Sequence, residues 1–394
     1  MTIDLLGVTS DELGAHARFL LPSGQGVAMR LYTAAFARGR LATDQHPLSP
    51  ASVAAWRDHF SVDLLEVVRV VEEEGEFAAT SKAILRTRDG YEIECVRIPM
   101  RIRAERVSTQ GISTERDSTK PSGGADQLHY TLCLSSQVGC KMGCTFCETG
   151  RMGLLRNLSA AEIVSQVVTV ATALGWRARN LVFMGMGEAL DNAEQLIQAL
   201  RVLADKRGLH YSQERITVCT AGHREGLLRL AALGWKRLNL SLSLNAADDE
   251  VRARIMPINR RTPLAELQQL LAAYPQRRNF TLGINYCLMP GINDAPGAAA
   301  LVARFCAPLG RVLINLIPYN PGSAPLTRAP REEEVVAFIS ALRAEGLAVR
   351  RRITKGRSIM AACGQLGDPA ARRRQPVATL PRPLPSTTPE PSSP

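Results

Sequence analysis

Apolar residues early in this chain recur at helical spacing, and from about Ser10 to Glu74 the pattern reads as mostly helical, most clearly over Ala51–Val70. Two strand-like runs follow, Phe77–Leu85 and Tyr91–Ile98. They flank Arg88-Asp89-Gly90, a hairpin signal with a turn that glycine can take at positive φ. Arg101–Gln127 is rich in Ser, Thr, Gly and charge, has few large apolar side chains, and reads as a flexible insertion. From His129 the texture changes to strands alternating with helices. Strands are expected at Tyr130–Ser135, Asn180–Met186, Arg215–Thr220, Leu238–Leu244, Phe280–Leu288 and Val312–Ile317. The helices between and after them fall at about Ser159–Leu174, Asp191–Asp205, His223–Leu233, one or two segments up to Tyr274, Pro296–Cys306 and Glu332–Glu345. Leu347–Thr354 adds a short extra strand.

Six β/α units in a row imply an α/β fold of parallel strands with helical crossovers, a full or partial barrel. Chemistry in such barrels sits at the carboxyl ends of the strands. The expected organisation is an N-terminal helical accessory domain (1–76), a small β-hairpin (77–100), the insertion (101–128), a barrel core (129–367) and an Arg-, Pro-, Ser- and Thr-rich disordered tail (368–394).

At 394 residues the chain holds one large domain and a smaller one with ample core. No run of eighteen apolar residues exists, so no membrane span is expected, and the N-terminus lacks the regions of a signal peptide. The net charge of +11 favours a polyanionic partner such as RNA, although part of it lies in segments such as Arg372-Arg373-Arg374. Nine cysteines, an odd number, argue against a disulfide scaffold and for a reducing cytoplasm.

Three of those cysteines form Cys140-Lys-Met-Gly-Cys144-Thr-Phe-Cys147, on the loop leaving the first barrel strand. A structural zinc site closes with four ligands, and most iron–sulfur clusters take four thiolates. A four-iron cluster held by three cysteines leaves one iron open to bind and reduce a ligand. The spacing resembles that of the radical S-adenosylmethionine (SAM) enzymes, in which SAM chelates that iron and is cleaved to a 5′-deoxyadenosyl radical. The alternative is a zinc knuckle completed by a distant residue.

Thr131-Leu-Cys-Leu-Ser-Ser-Gln-Val-Gly-Cys140 through Cys147 resembles the RlmN/Cfr family of radical SAM RNA methyltransferases. So do Gly185-Met-Gly-Glu188, Ser243-Leu-Asn-Ala-Ala-Asp-Asp-Glu250, Met256-Pro-Ile-Asn259, Asn315-Leu-Ile-Pro-Tyr-Asn320 and Ala361-Ala-Cys-Gly-Gln-Leu366, in family order over residues 77 to 367. The resemblance implies a partial (β/α)6 radical SAM barrel that methylates the C2 or C8 carbon of an adenine in rRNA or tRNA, C2 being commoner. Those carbons are not nucleophiles, so a cofactor with radical chemistry is needed. Two SAM molecules per turnover are implied, with one [4Fe-4S] cluster on Cys140, Cys144 and Cys147. Cys363 would become S-methylcysteine, and Cys133 would resolve the protein–RNA adduct through a transient disulfide.

Glu94 matches the family's proton acceptor, with Glu92 on the same strand face by the period of two. SAM would lie across the strand ends at Gly187, Glu188, Cys219, Ser243, Leu244, Asn245 and Asn320. The chain departs from the family at Cys219, Asn245 and Ala189, where Ser, His and Pro are usual. Cys95, Cys287 and Cys306 read as core, His210 and His223 as caps or surface, and Met184 and Met186 as strand packing. Expected partners are RNA and an electron donor such as flavodoxin or ferredoxin, with no membrane and a monomeric, cytoplasmic chain. Two other readings stay open, a family member with a different substrate and a non-catalytic iron–sulfur RNA-binding protein.

Overall fold

The computed structural model describes residues 2–102 and 127–368. Strand β1 (Ile3–Asp4) leads through α1 (Ser10–Leu20), α2 (Ala28–Arg38) and α3 (Pro50–His59) to β2 (Phe60–Ser61), its parallel partner. Then β3 (Glu66–Glu73), β4 (Thr80–Arg86) and β5 (Glu92–Ile102) form an antiparallel meander, and β6 (Gln127–Cys133) pairs antiparallel with β5. A ribbon of β7 (Gln137–Cys140) and β8 (Gly153–Asn157) encloses α4 (Glu148–Met152).

The repeating part follows as α5 (Ala160–Ala173), β9 (Asn180–Phe183), α6 (Ala193–Ala204), β10 (Ile216–Thr220), α7 (Arg224–Ala232) and β11 (Asn239–Ser243). It continues with α8 (Asp249–Ile255), α9 (Leu264–Ala272), β12 (Leu282–Leu288), α10 (Ala298–Cys306), β13 (Val312–Pro318), α11 (Glu332–Ala344) and β14 (Val349–Arg351).

One ten-stranded sheet has the order β14-β13-β12-β11-β10-β9-β6-β5-β4-β3. From β6 to β14 every pairing is parallel, each strand lying beside its predecessor in the series, as helical crossovers dictate. The sheet is open, with β14 and β3 as its edges. Leu181, Val218, Leu240, Ile284 and Ile314 are buried along the successive strands. Helix α5 begins with a Ser159–Glu162 capping box and buries Ile163, Val164, Val167 and Val168. The N-terminal segment packs on the outer layer: Ser10 donates its N–H to Asp205 Oδ2 at 2.6 Å, and Gln198 Nε2 donates to the carbonyl of Gly7 at 3.1 Å.

The chain is not helical as far as Glu74, against the expectation from its apolar spacing. Helix α3 stops at His59, and Glu66–Glu73 is the far edge strand of the sheet. Its valines at 67, 68, 70 and 71 fit a pleated surface better than a helix. The Arg88-Asp89-Gly90 hairpin is present, with Gly90 at φ 88°, but it is continuous with the large sheet. Residues read as insertion also extend strands: Arg101-Ile102 ends β5 and Gln127-Leu128 begins β6. The rest of that insertion (103–126) and the tail from residue 369 lie outside the described residues.

Candidate active site

Cys140 ends β7, Cys144 lies in the following turn, and Cys147 caps the N-terminus of α4. Gly139, at φ 76°, allows the ribbon to close before Cys140. A Cβ there would stand 1.9 Å from the Gly153 carbonyl oxygen. The loop is tied to α8 by Thr145, whose N–H donates to the Ile255 carbonyl at 3.0 Å. Burial pushes the Cys140 thiol up to about 12 and raises Cys144 and Cys147. Cys140 and Cys144 lie in one cluster of buried side chains, and Cys147 packs partly buried against it.

The loop bearing Cys363 docks on the helix that starts at Cys147. Glu148 donates its N–H to the Gly364 carbonyl at 2.8 Å, and the buried Thr149 hydroxyl donates to the Leu366 carbonyl at 2.6 Å. Cys363 itself is exposed and Cys133 is buried, and both are free thiols. Cys133 ends β6 opposite Val96 of β5 and beside Val182 of β9. Burial raises its pKa well above the thiol range, and the charge of Cys363 adds to that rise. A cavity of about 430 Å³ opens beside Cys363, lined among others by Pro99, Asn320, Arg352, Ala362 and Cys363 itself.

Glu94 and Cys133 lie on one face of the sheet. Val96 opposes Cys133, and Glu94 is two residues along the strand, a diagonal neighbour. The Glu94 carboxylate accepts from Lys82 Nζ at 3.3 Å and from the Gly367 N–H at 3.2 Å. Burial raises its pKa, while Lys82 and the Gly367 N–H pull it back. Lys82 also donates to the Met360 carbonyl at 3.0 Å, so the pair grips both ends of the Cys363 loop. Glu92 sits apart, half exposed and paired with Arg86 at 2.9 Å.

The Radical SAM superfamily model matches residues 134–301. The dual-specificity RNA methyltransferase RlmN of Syntrophobacter fumaroxidans is 40% identical over 304 residues, covering 77% of this chain and 80% of that protein. RlmN of Sorangium cellulosum is 39% identical over 340 residues, covering 81% and 86%. A radical SAM methyltransferase from Sphaerobacter thermophilus superposes with a TM-score of 0.76 at 32% identity, covering 92% of this chain and 99% of that one. The chain belongs to the RlmN family of radical SAM RNA methyltransferases.

Membership implies SAM and a [4Fe-4S] cluster, and the donor set fits both. Among the described residues no three His, Cys, Asp or Glu side chains close on a single metal ion. Two buried thiols and a partly buried third, gathered in one cluster without converging on a point, suit an iron–sulfur cluster that takes one thiolate per iron. Ser243, the last residue of β11, stands in register with Asn285 and Asn315 in the middle of β12 and β13. Asn285 Oδ1 accepts from Asn315 Nδ2 at 3.1 Å, while its own buried Nδ2 finds no partner. A buried donor without an acceptor suits a polar ligand. Asn320 is also buried, at the cavity wall.

The other RlmN-type positions are largely engaged by the protein. Gly187, at φ 99°, comes so close to Gln137 that a Cβ would lie 2.6 Å from that side chain. Glu188 accepts from the Thr220 hydroxyl (2.7 Å) and from the N–H groups of Ala221 (2.8 Å) and Leu190 (3.2 Å), which leaves Oε2 with one donor. Burial raises its pKa and these donors lower it. Leu244 donates its N–H to the Asn285 carbonyl at 3.0 Å. Asn245 is left-handed at φ 58°; its Oδ1 accepts from the Cys287 N–H at 2.9 Å, and its Nδ2 faces Met256 Sδ at 3.2 Å. Cys219 is buried, which pushes its thiol up to about 12, and pairs with Ser241 in register. Ala189 is buried at the start of a short 3-10 turn capped by Glu188.

Sequence reasoning missed Lys82, Glu148 and Arg252. Glu148 is buried, and its carboxylate takes the N–H and hydroxyl of Ser323, both at 2.8 Å, fixing the segment after Asn320. Its position directly after Cys147 was the available signal. Cys95, Cys287 and Cys306 are buried core, and His223 caps α7 through Nδ1 to the Gly226 N–H.

Proposed function

We propose that this enzyme methylates an adenine ring carbon in rRNA or tRNA, C2 before C8, through a methyl group carried on Cys363. The observation that carries the reading is the docking of the Cys363 loop on the cluster helix at one side and on Glu94 at the other. Cys140, Cys144 and Cys147 would hold the cluster. Oε2 of Glu188, the Ser243–Asn285–Asn315 row and Asn320 would hold SAM. When bound together, SAM and the cluster supply a carbon radical able to take hydrogen from a methyl group.

The chain's own residues divide the remaining work. Cys363 presents its S-methyl group to the radical and then to adenine, at the mouth of the cavity. Glu94, its pKa raised by burial, accepts the ring proton, while the odd electron of the adduct would pass back to the oxidised cluster. Cys133 then attacks the Cys363 sulfur. The S–S bond forms as the S–CH2 bond breaks, and the electron pair leaves with the carbon, which takes a proton to become the product methyl group. Attack requires a thiolate, so the buried Cys133 must first lose its proton.

Two SAM molecules are used per turnover, one as methyl donor and one as radical source. An external electron donor of the flavodoxin or ferredoxin class would supply the electron to the cluster held by Cys140, Cys144 and Cys147, and the enzyme works as a cytoplasmic monomer. Among the described residues no helix is long and apolar enough to cross a membrane. Peptide mass spectrometry of Cys363 after incubation with SAM tests the first step. An S-methyl group on Cys363 is expected, and unmodified Cys363 in a protein that cleaves SAM would contradict the reading.

A further inference from the structure

Arg252, in α8, is fully buried, and no acidic side chain of the described residues forms an ion pair with it. All its hydrogen bonds go to neutral oxygens. Nε donates to the Leu244 carbonyl at 3.0 Å and Nη1 to Asn259 Oδ1 at 2.7 Å. Nη2 donates to the carbonyls of Ala221 (2.7 Å) and Ser243 (3.3 Å). These contacts tie together the ends of β10 and β11, but they leave a whole positive charge uncompensated at close range. The two nearby carboxylates make no hydrogen bond to the guanidinium and are held by neutral donors. Asp249 Oδ1 accepts from Asn259 Nδ2 at 2.6 Å and from the Leu264 N–H at 2.9 Å, and Glu188 is held by Thr220, Ala221 and Leu190.

A buried guanidinium without an anion is costly, so the compensating charge must lie nearby. Ala221, whose carbonyl Arg252 holds, shares one cluster of buried side chains with Cys140 and Cys144. Ile255 and Met256, the next turn of the segment that bears Arg252, lie in the same cluster, and Thr145 is bonded to Ile255.

We propose that Arg252 is the positioning charge of the cluster site, a fixed cation that offsets the Cys144 thiolate and stabilises the reduced cluster relative to the oxidised one. The inference rests on a cluster being held by Cys140, Cys144 and Cys147. A cation in low dielectric favours the state with one more electron, so its removal makes the cluster harder to reduce.

The experiment is a redox titration of the reconstituted enzyme, followed by the EPR signal of the reduced cluster, for wild type, Arg252→Lys, Arg252→Gln and the double exchange Asp249→Asn with Asn259→Asp. The exchange moves a carboxylate onto the guanidinium and leaves the bonds of Arg252 to the Leu244, Ala221 and Ser243 carbonyls in place, so it tests the charge without removing the strand-end ties. At fixed ambient potential, Arg252→Gln and the exchange are expected to lower the reduced-to-oxidised ratio at least tenfold, a 59 mV shift for one electron. Arg252→Lys should stay near wild type. If Arg252→Gln does not take up iron, the exchange alone decides. A loaded Arg252→Gln or exchange variant with the wild-type potential would overturn the proposal. A wild-type protein without an iron EPR signal would instead overturn the cluster assignment beneath it.

Discussion

Glu148 donates its backbone N–H to the carbonyl of Gly364 at 2.8 Å. One bond thus joins the residue after Cys147 to the residue after Cys363. Thr149 and Leu366 repeat the tie at 2.6 Å, and Lys82 and Glu94 hold the same loop at Met360 and Gly367. The thiol proposed to carry the methyl group is therefore placed by the cluster helix on one side and by the proposed base on the other. Buried hydrogen bonds of this kind restrict the loop more than an exposed contact would.

The Glu94–Lys82 pair predicts a pH signature. Burial raises the Glu94 pKa and the Lys82 cation lowers it, so removing the cation raises it further. Below its pKa Glu94 is protonated and cannot accept the ring proton. The acid limb of methylation in Lys82→Met should therefore move to higher pH, and Glu94→Gln should lose methylation with its S-methyl Cys363 intact. An unmoved limb in a folded Lys82→Met protein would count against Glu94 as the base.

Cys133→Ala removes the thiol proposed to resolve the adduct. After incubation with SAM, reductant and RNA, this variant should retain a covalent protein–RNA species, seen as a nuclease-sensitive shift on a denaturing gel. Free methylated RNA at the wild-type level would show that another group performs the release.

Loss of any one of Cys140, Cys144 or Cys147 removes a cluster ligand. Alanine at each position should abolish stoichiometric iron and the brown colour of the reconstituted protein, while Cys95→Ala and Cys306→Ala should keep both. A full iron complement in Cys144→Ala would place the cluster elsewhere.

Gly187→Ala forces a left-handed alanine at φ 99° against Gln137, whose Cβ would lie only 2.6 Å away. Overpacking of this kind costs about 1–3 kcal/mol, and it displaces the backbone that positions Glu188. A lower unfolding midpoint and weaker SAM binding by calorimetry are expected together. A variant with wild-type stability would mean that the loop relaxes freely.

Much of this was legible in the sequence, for reasons that differ from element to element. The strands after His129 are short apolar runs bounded by turn residues, and their alternation with helices sets the order of the parallel sheet. The three cysteines announce themselves through spacing alone. Strand β3 reads as helix from sequence because its valines, flanked by charge, also satisfy a helical period, and only pairing with β4 settles it. The roles of Lys82 and Arg252 were hidden because each depends on partners far along the chain: Met360 for one, Ala221 and Ser243 for the other. Gly187 and Glu188 were assigned to ligand approach, whereas much of their demand comes from Gln137, Thr220 and Ala221.

The central claim is methylation of an adenine ring carbon in RNA. Its most direct test is nucleoside mass spectrometry of unmodified ribosomal and transfer RNA after incubation with the anaerobically reconstituted enzyme, SAM and a reductant. The account predicts new 2-methyladenosine, absent when Cys363→Ala replaces the wild type. SAM cleavage with no methyladenosine in either RNA would contradict it.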